Sequence, residues 1–276
     1  MAAGRPTLTR VRVALAVILA ILAAAPAGAR TVTYGTDAGG PLVGDLFAPP
    51  GHGRIAVVAV HGGAWLHNDR AVFAPIAADL ARRSGFVVLN VEYPRAPGGG
   101  SLYARQRSAV EQAVRWLRGH ARSLGIDARR IGGLGGSAGG NLVALVGTGG
   151  TGSLRSGTRL GAVVAWSGQL DLEHLRGVNA TNVKSYLGCD LAACPDTWAL
   201  ASPIDHVNHG DTPMLLFGSR RDSTPPTQST RMARALRRAG ADGRAVILPG
   251  ARHGQQYAAT AMSRTIAFLR KHLSRG

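Results

Sequence analysis

A mostly parallel β-sheet with helices on both faces is the architecture this chain encodes, because short apolar runs alternate with longer segments of helical period and no linker interrupts them. The runs are Ile55–Val60, Phe86–Val91, Ala162–Trp166, Met214–Phe217 and Ala245–Leu248, with a weaker one at Ile131–Leu134. Runs of this length, rich in Val and Ile and nearly without polar interruption, suit strands buried on both faces. The helical segments are Arg70–Arg83, Arg105–His120, Ala138–Val146, Gln228–Ala239 and Ala258–Leu273. In Arg105–His120, Ala109, Val110, Ala113, Val114, Trp116 and Leu117 recur at three- and four-residue intervals, which places Arg107, Glu111, Arg115 and Arg118 toward water. Leu42–Phe47 precedes the first buried run with no helix between them, so it is expected to pair with that run antiparallel at the sheet edge. Gly147–Gly161, rich in Gly, Ser and Thr, is expected to be a mobile surface loop. Gly168–Asp211 is longer than a plain crossover needs, and it is expected to carry substrate-contact elements.

The first 29 residues have a different composition. Arg5, Arg10 and Arg12 precede an uncharged run, Val13–Ala25, which is followed by Pro26 and Ala27-Gly28-Ala29. This is the layout of a secretory signal peptide. Even Val13–Ala29 falls short of the roughly 20 residues that span a bilayer. Residues 30–276 are therefore expected to form one secreted domain. Export into an oxidising compartment lets the two cysteines, Cys189 and Cys194, form a loop-tying disulfide, with two free thiols as the alternative. No second cysteine pair or histidine pair with ligand spacing accompanies them, so a metal is not expected.

The formal net charge is +17, almost all of it from arginine, since Lys184 and Lys271 are the only lysines. Such a surface can attract acidic cell-wall polymer or a membrane surface. Nucleic acid is not expected as a partner. Aromatic residues make up only 5%, and the densest arginine stretch, Arg231, Arg234, Arg237 and Arg238, fits one solvated helix face.

The segment richest in chemistry is Ile131-Gly-Gly-Leu-Gly-Gly-Ser137-Ala-Gly-Gly-Asn-Leu142. It sets Gly135-x-Ser137-x-Gly139 between a strand-like run and a helical one, the context in which a sharp turn exposes a serine hydroxyl above the sheet. A serine needs a base within reach to act as a nucleophile. His253, on the loop after the last buried run, is the candidate base. Asp222, after the preceding run, is the candidate acid to orient it, and Asp171 is its rival. Acyl transfer also needs donors for the oxyanion, and the N–H groups of Gly62, Gly63 and Ala138 are the candidates.

Together these residues resemble the α/β-hydrolase superfamily, and within it exported serine esterases with an HGG-type oxyanion motif, a group that includes carboxylesterases and feruloyl or acetyl xylan esterases. His61-Gly62-Gly63-Ala64-Trp65 resembles the oxyanion motif, Glu92-Tyr93-Pro94 the turn after the next strand, and Gly136-Ser137-Ala138-Gly139-Gly140-Asn141 the nucleophile elbow. Asp222 with Pro225, and His253-Gly254, resemble the acid and base segments, and the likeness runs from about Leu42 to Leu273. The chain departs from the family at Ala64, where many relatives carry a third glycine, and at His67-Asn68-Asp69, where a glycine is usual. The resemblance implies an α/β-hydrolase fold without a large cap domain, and hydrolysis of short-acyl or carbohydrate-linked carboxylic esters. It implies a small-molecule or polysaccharide-linked ester as substrate, with no cofactor. A peptidase or amidase of the prolyl-oligopeptidase kind, and a non-catalytic cell-wall binder on the same scaffold, are the alternatives.

Overall fold

The computed structural model describes residues 28–95 and 102–274. The chain opens with β1 (Arg30–Asp37), β2 (Gly40–Phe47), β3 (Arg54–Val60), α1 (Ala74–Ser84) and β4 (Val87–Val91). It continues through α2 (Tyr103–Gly119), α3 (Ala121–Leu124), β5 (Ile126–Gly136), α4 (Ala138–Gly149) and β6 (Ala162–Trp166). An excursion bearing α5 (Val178–Leu187) and α6 (Pro195–Leu200) then leads to β7 (Met214–Ser219), α7 (Thr227–Arg238), β8 (Gly243–Leu248) and α8 (Ala258–Leu273). The strands form one sheet in the order β1-β2-β4-β3-β5-β6-β7-β8, parallel from β4 onward.

Strand periodicity divides the core into two layers. Along β3, Ala56, Val58 and Val60 join the apolar faces of α2, α4 and α7, while Ile55, Val57 and Ala59 point the other way into α1 and α8. Because both layers are apolar and buried, the strand needs apolar residues at successive positions. Among the described residues no helix is long and apolar enough to cross a membrane. The basic and apolar N-terminal segment lies, through residue 27, outside the described residues.

Several expectations need correction. Leu42–Phe47 belongs to β2, which pairs antiparallel with β4, not with β3, and it is not the edge. The edge is β1, unanticipated from sequence, whose Val32 and Tyr34 are buried while their neighbours remain partly solvated. The expected helix at Arg70–Arg83 is split. Arg70–Val72 forms a short 3-10 turn capped by Asp69, and α1 starts later so that Pro75 falls in its first turn, where a missing N–H breaks no helical bond. The weak run Ile131–Leu134 is the middle of the eleven-residue β5. Its glycines make room for neighbours: Leu269 and Leu273 press on Gly132, and Val143 and Leu160 on Gly133.

Gly147–Gly161 is partly helix, since α4 runs through Gly149, and the remainder is pinned. Arg118, expected to face water, instead donates to the carbonyls of Leu154 at 3.2 Å, Gly157 at 2.6 Å and Arg159, and to Ala128 at 3.2 Å. Burial among carbonyls lowers its guanidinium to about 10.

Candidate active site

Every parallel strand from β3 to β8 ends at the same edge, and the in-register pairs Val60↔Gly135, Gly136↔Trp166 and Ser219↔Leu248 align the loops that follow. Ser137 stands between β5 and α4 with φ 54° and ψ −121°, a left-handed conformation that side chains rarely adopt. Its N–H donates to the Trp166 carbonyl at 2.7 Å, which locks the turn. The flanking glycines are steric requirements. A Cβ on Gly135 would run into the Gly139 carbonyl, and one on Gly139 into the carbonyls of Val60 and His61. We expect Gly135→Ala to destabilise the protein by about 3 kcal/mol or more, because backbone cannot yield as a flexible side chain can. A melting temperature equal to the parent's would refute that account of the turn.

His253 and Asp222 meet beside this serine. The Nδ1 of His253 lies 2.8 Å from Asp222 Oδ1, and the Asp222 carboxylate is fully buried while the imidazole remains about one-third exposed. Burial pushes the Asp222 carboxyl upward, but hydrogen bonds from His253, Ser167 and the Thr224 N–H outweigh it and hold the group below its ordinary value. The rival, Asp171, is committed elsewhere: its carboxylate meets His174 Nδ1 at 2.7 Å and Arg231 Nε at 2.9 Å.

Ser137 and His253 line one cavity of about 470 Å³ together with Gly62, Gly63, Ala64, His67 and Asn68. Gly62 packs so closely that a Cβ there would sit 2.9 Å from the Ser137 Cβ. Ala138, buried, opens α4 directly after the serine. The loop after β3 is braced from behind. His61 Nδ1 contacts the Gly62 carbonyl at 2.7 Å, Trp65 Nε1 donates to Asn141 Oδ1 at 3.2 Å, and Gln106 Nε2 donates to the Trp65 carbonyl at 2.9 Å. Both departures from the family pattern fall on left-handed backbone, Ala64 at φ 52° and Asn68 at φ 65°. Glycine adopts that conformation freely and asparagine tolerates it better than most residues do.

Gln169, Val178, Asn179 and Asn182 complete the wall, so the Gly168–Asp211 excursion borders the site as expected. Cys189 and Cys194 form a disulfide with Cα atoms 6.3 Å apart, tying the segment between α5 and α6. Ser167 and Tyr257, which surround the Asp222 carboxylate, are not marked by any motif in the sequence. The only available signal was that Ser167 immediately follows a buried run, at the edge where such sheets collect functional groups.

A sheet that delivers a serine, an acid and a histidine to its carboxyl edge is the hallmark of the α/β-hydrolases, and this molecule has their fold. The chain belongs to the BD-FAE family, whose profile matches residues 45–236, more than half its length. It is similar to esterase LipC of Mycobacterium tuberculosis, 29% identical over 214 residues that cover 72% of this chain and 52% of LipC. The chain spans about half the length of the curated relatives it matches. A truncated carbohydrate esterase from gut microbiota shares the fold, with a TM-score of 0.78 and 24% identity across 89% of this chain and 97% of that one. Esterase 2 of Thermogutta terrifontis with propionate bound aligns at a TM-score of 0.71 and 26% identity, covering 90% of this chain and 94% of its own.

Proposed function

We propose that this chain hydrolyses carboxylic esters through an acyl-enzyme on Ser137. The observation that carries the proposal is that a serine on a strained strand-to-helix turn shares a cavity with a histidine whose far ring nitrogen is held by a buried, ionised aspartate. Ser137 Oγ attacks the ester carbonyl as His253 accepts its proton. The oxyanion is received by N–H groups of Gly62, Gly63 and Ala138, and the alcohol departs with the proton from His253. Water then attacks the acyl-enzyme by the same route and releases the acid. The decisive experiment incubates the protein with a fluorophosphonate probe and with p-nitrophenyl acetate beside a peptide anilide. Labelling at Ser137 with ester turnover is expected. Preferred cleavage of the anilide would favour a peptidase, and failure to label would favour a non-catalytic binder.

The substrates we propose are short-acyl or carbohydrate-linked esters. Asn68, Gln169, Asn179, Asn182, Ser223 and Gln255 on the cavity wall suit hydroxyl-bearing groups better than long alkyl chains. That the similar Thermogutta terrifontis enzyme was captured with propionate supports a short acyl group. Acetate and propionate esters of p-nitrophenol should therefore be turned over at least about tenfold faster than the decanoate, since a pocket discriminates by roughly 10–200-fold per misfitting group. Faster turnover of the long chain would overturn the assignment.

We further propose export with cleavage before Arg30, which N-terminal sequencing of the secreted protein tests. After loss of Arg5, Arg10 and Arg12 the remainder of the 32 Lys and Arg still exceeds the 15 Asp and Glu, which supports retention on acidic cell-wall polymer or a membrane surface, and such binding should weaken with salt.

A further inference from the structure

Ser167, the residue directly after β6, lies 1% exposed with its backbone at φ 53°, and its N–H donates to the Phe217 carbonyl at 2.9 Å. Its hydroxyl donates to Asp222 Oδ2 and accepts the Gly254 N–H at 3.2 Å, with the Tyr257 hydroxyl 3.1 Å away. Gly254 is the residue after His253. One oxygen atom thus touches both the acid's carboxylate and the backbone that carries the base.

We infer that Ser167 is a positioning residue for the reaction, setting the Asp222 carboxylate and the His253 loop in a fixed relation through its hydroxyl. The inference rests on the esterase reading given above. Asp222 divides its oxygens: Oδ1 meets His253 Nδ1 at 2.8 Å and the Thr224 N–H at 3.0 Å, while Oδ2 takes the serine proton. With that proton drawn to the carboxylate, the lone pairs of Ser167 are free for Gly254. Rotation of the carboxylate away from the imidazole would break the Ser167 bond as well, and displacement of the loop would break the Gly254 bond.

The same bond withdraws electron density from the carboxylate. Without it, Asp222 becomes a stronger base and stabilises the imidazolium more, so His253 stays protonated to higher pH. The titratable groups facing Asp222 are His253, from the loop after β8, and the Tyr257 hydroxyl, 3.4 Å from Oδ2. Arg221 and Arg252, the chain neighbours of Asp222 and His253, are exposed.

The test uses Ser167→Ala and Ser167→Gly in the chain without truncation. Glycine accepts φ 53° without strain, so the second variant removes the hydroxyl while relaxing the backbone and guards against misfolding. Both should keep KM within about twofold and lose roughly tenfold to a hundredfold in kcat, normalised to the fraction titratable by fluorophosphonate. The acid limb of the rate profile should move to higher pH, and NMR titration of the His253 imidazole in the substrate-free protein should move in the same direction. A lowered melting temperature with unchanged kcat and unchanged His253 titration in both variants would reduce Ser167 to a packing residue and overturn the inference. If the parent protein hydrolyses no ester, the esterase reading falls, and the NMR titration still decides whether Ser167 governs the acid and base.

Discussion

Ser137→Ala should abolish ester turnover, lowering kcat by about 10⁵–10⁶-fold while the fold persists. The whole covalent route depends on one oxygen, and the other hydroxyls around Asp222 are engaged: Ser167 Oγ is spent on Asp222 Oδ2, Ser223 Oγ lies 3.3 Å from Asp222 Oδ1, and the Tyr257 hydroxyl is 2.9 Å from Ser219. Fluorophosphonate labelling should vanish with the turnover. The backbone offers a second measurement. Because Ser137 holds φ 54°, Ser137→Gly relieves strain of about 1–3 kcal/mol, partly offset by the greater freedom of glycine in the unfolded chain. Ser137→Gly should therefore melt a few degrees above the parent, since about 2–4 °C accompanies each kcal/mol in a domain of this size. Retention of more than about 1% of kcat in Ser137→Ala would show that the nucleophile lies elsewhere.

Asp222→Asn should lower kcat by about 10⁴-fold with little change in KM. The substitution preserves shape, but an amide has one acceptor oxygen where Ser167 and the Thr224 N–H each meet a separate one, and it no longer enforces the imidazole tautomer that leaves a basic nitrogen for Ser137. Loss of the negative charge also makes the imidazolium less stable. The acid limb should therefore move to lower pH, opposite to the shift expected for the Ser167 variants, and the two mutants can be told apart by sign alone. A stability effect accompanies this. Since the fold holds Asp222 below its ordinary value, its ionised form stabilises the protein above about pH 4, and this contribution is lost as pH falls through the lowered value. Asp222→Asn should flatten that part of the acid-unfolding curve. An Asp222→Asn protein with near-parental kcat would hand the orienting role to another group.

The parallel core was readable because burial on both faces leaves an unbroken apolar signature, as in Ile55–Val60 and Ala162–Trp166. The edge strand β1 lacked it, since only Val32 and Tyr34 are buried and the register shifts between Thr33 and Gly35. Neighbour order was equally hidden: β2 reaches past β3 to β4, a choice made by tertiary packing and not by local sequence. Ser137, Asp222 and His253, which the structure brings to one edge of the sheet, were legible as candidates because each follows a recognisable strand, in the chain order that the family resemblance implies. Ser167 and Tyr257 act through single hydroxyls with no spacing rule, so only three-dimensional proximity exposes them. Arg118 departs from the helical pattern because its long apolar stem fits a helix surface while its head turns back into the carbonyls of the following segments.

Among the described residues, the non-glycine side chains with positive φ are Ala64, Trp65, Asn68, Ser137 and Ser167, and all of them lie on the cavity or directly behind it. Conformational tension in this molecule is concentrated around the candidate site, while the sheet beneath supplies the rigidity that sustains it. A laboratory lineage selected for heat tolerance alone should therefore drift toward glycine at Ala64, Asn68 and Ser137 first and grow hardier as its turnover declines, whereas Trp65, fully buried and stacked on Tyr186, is kept by its packing.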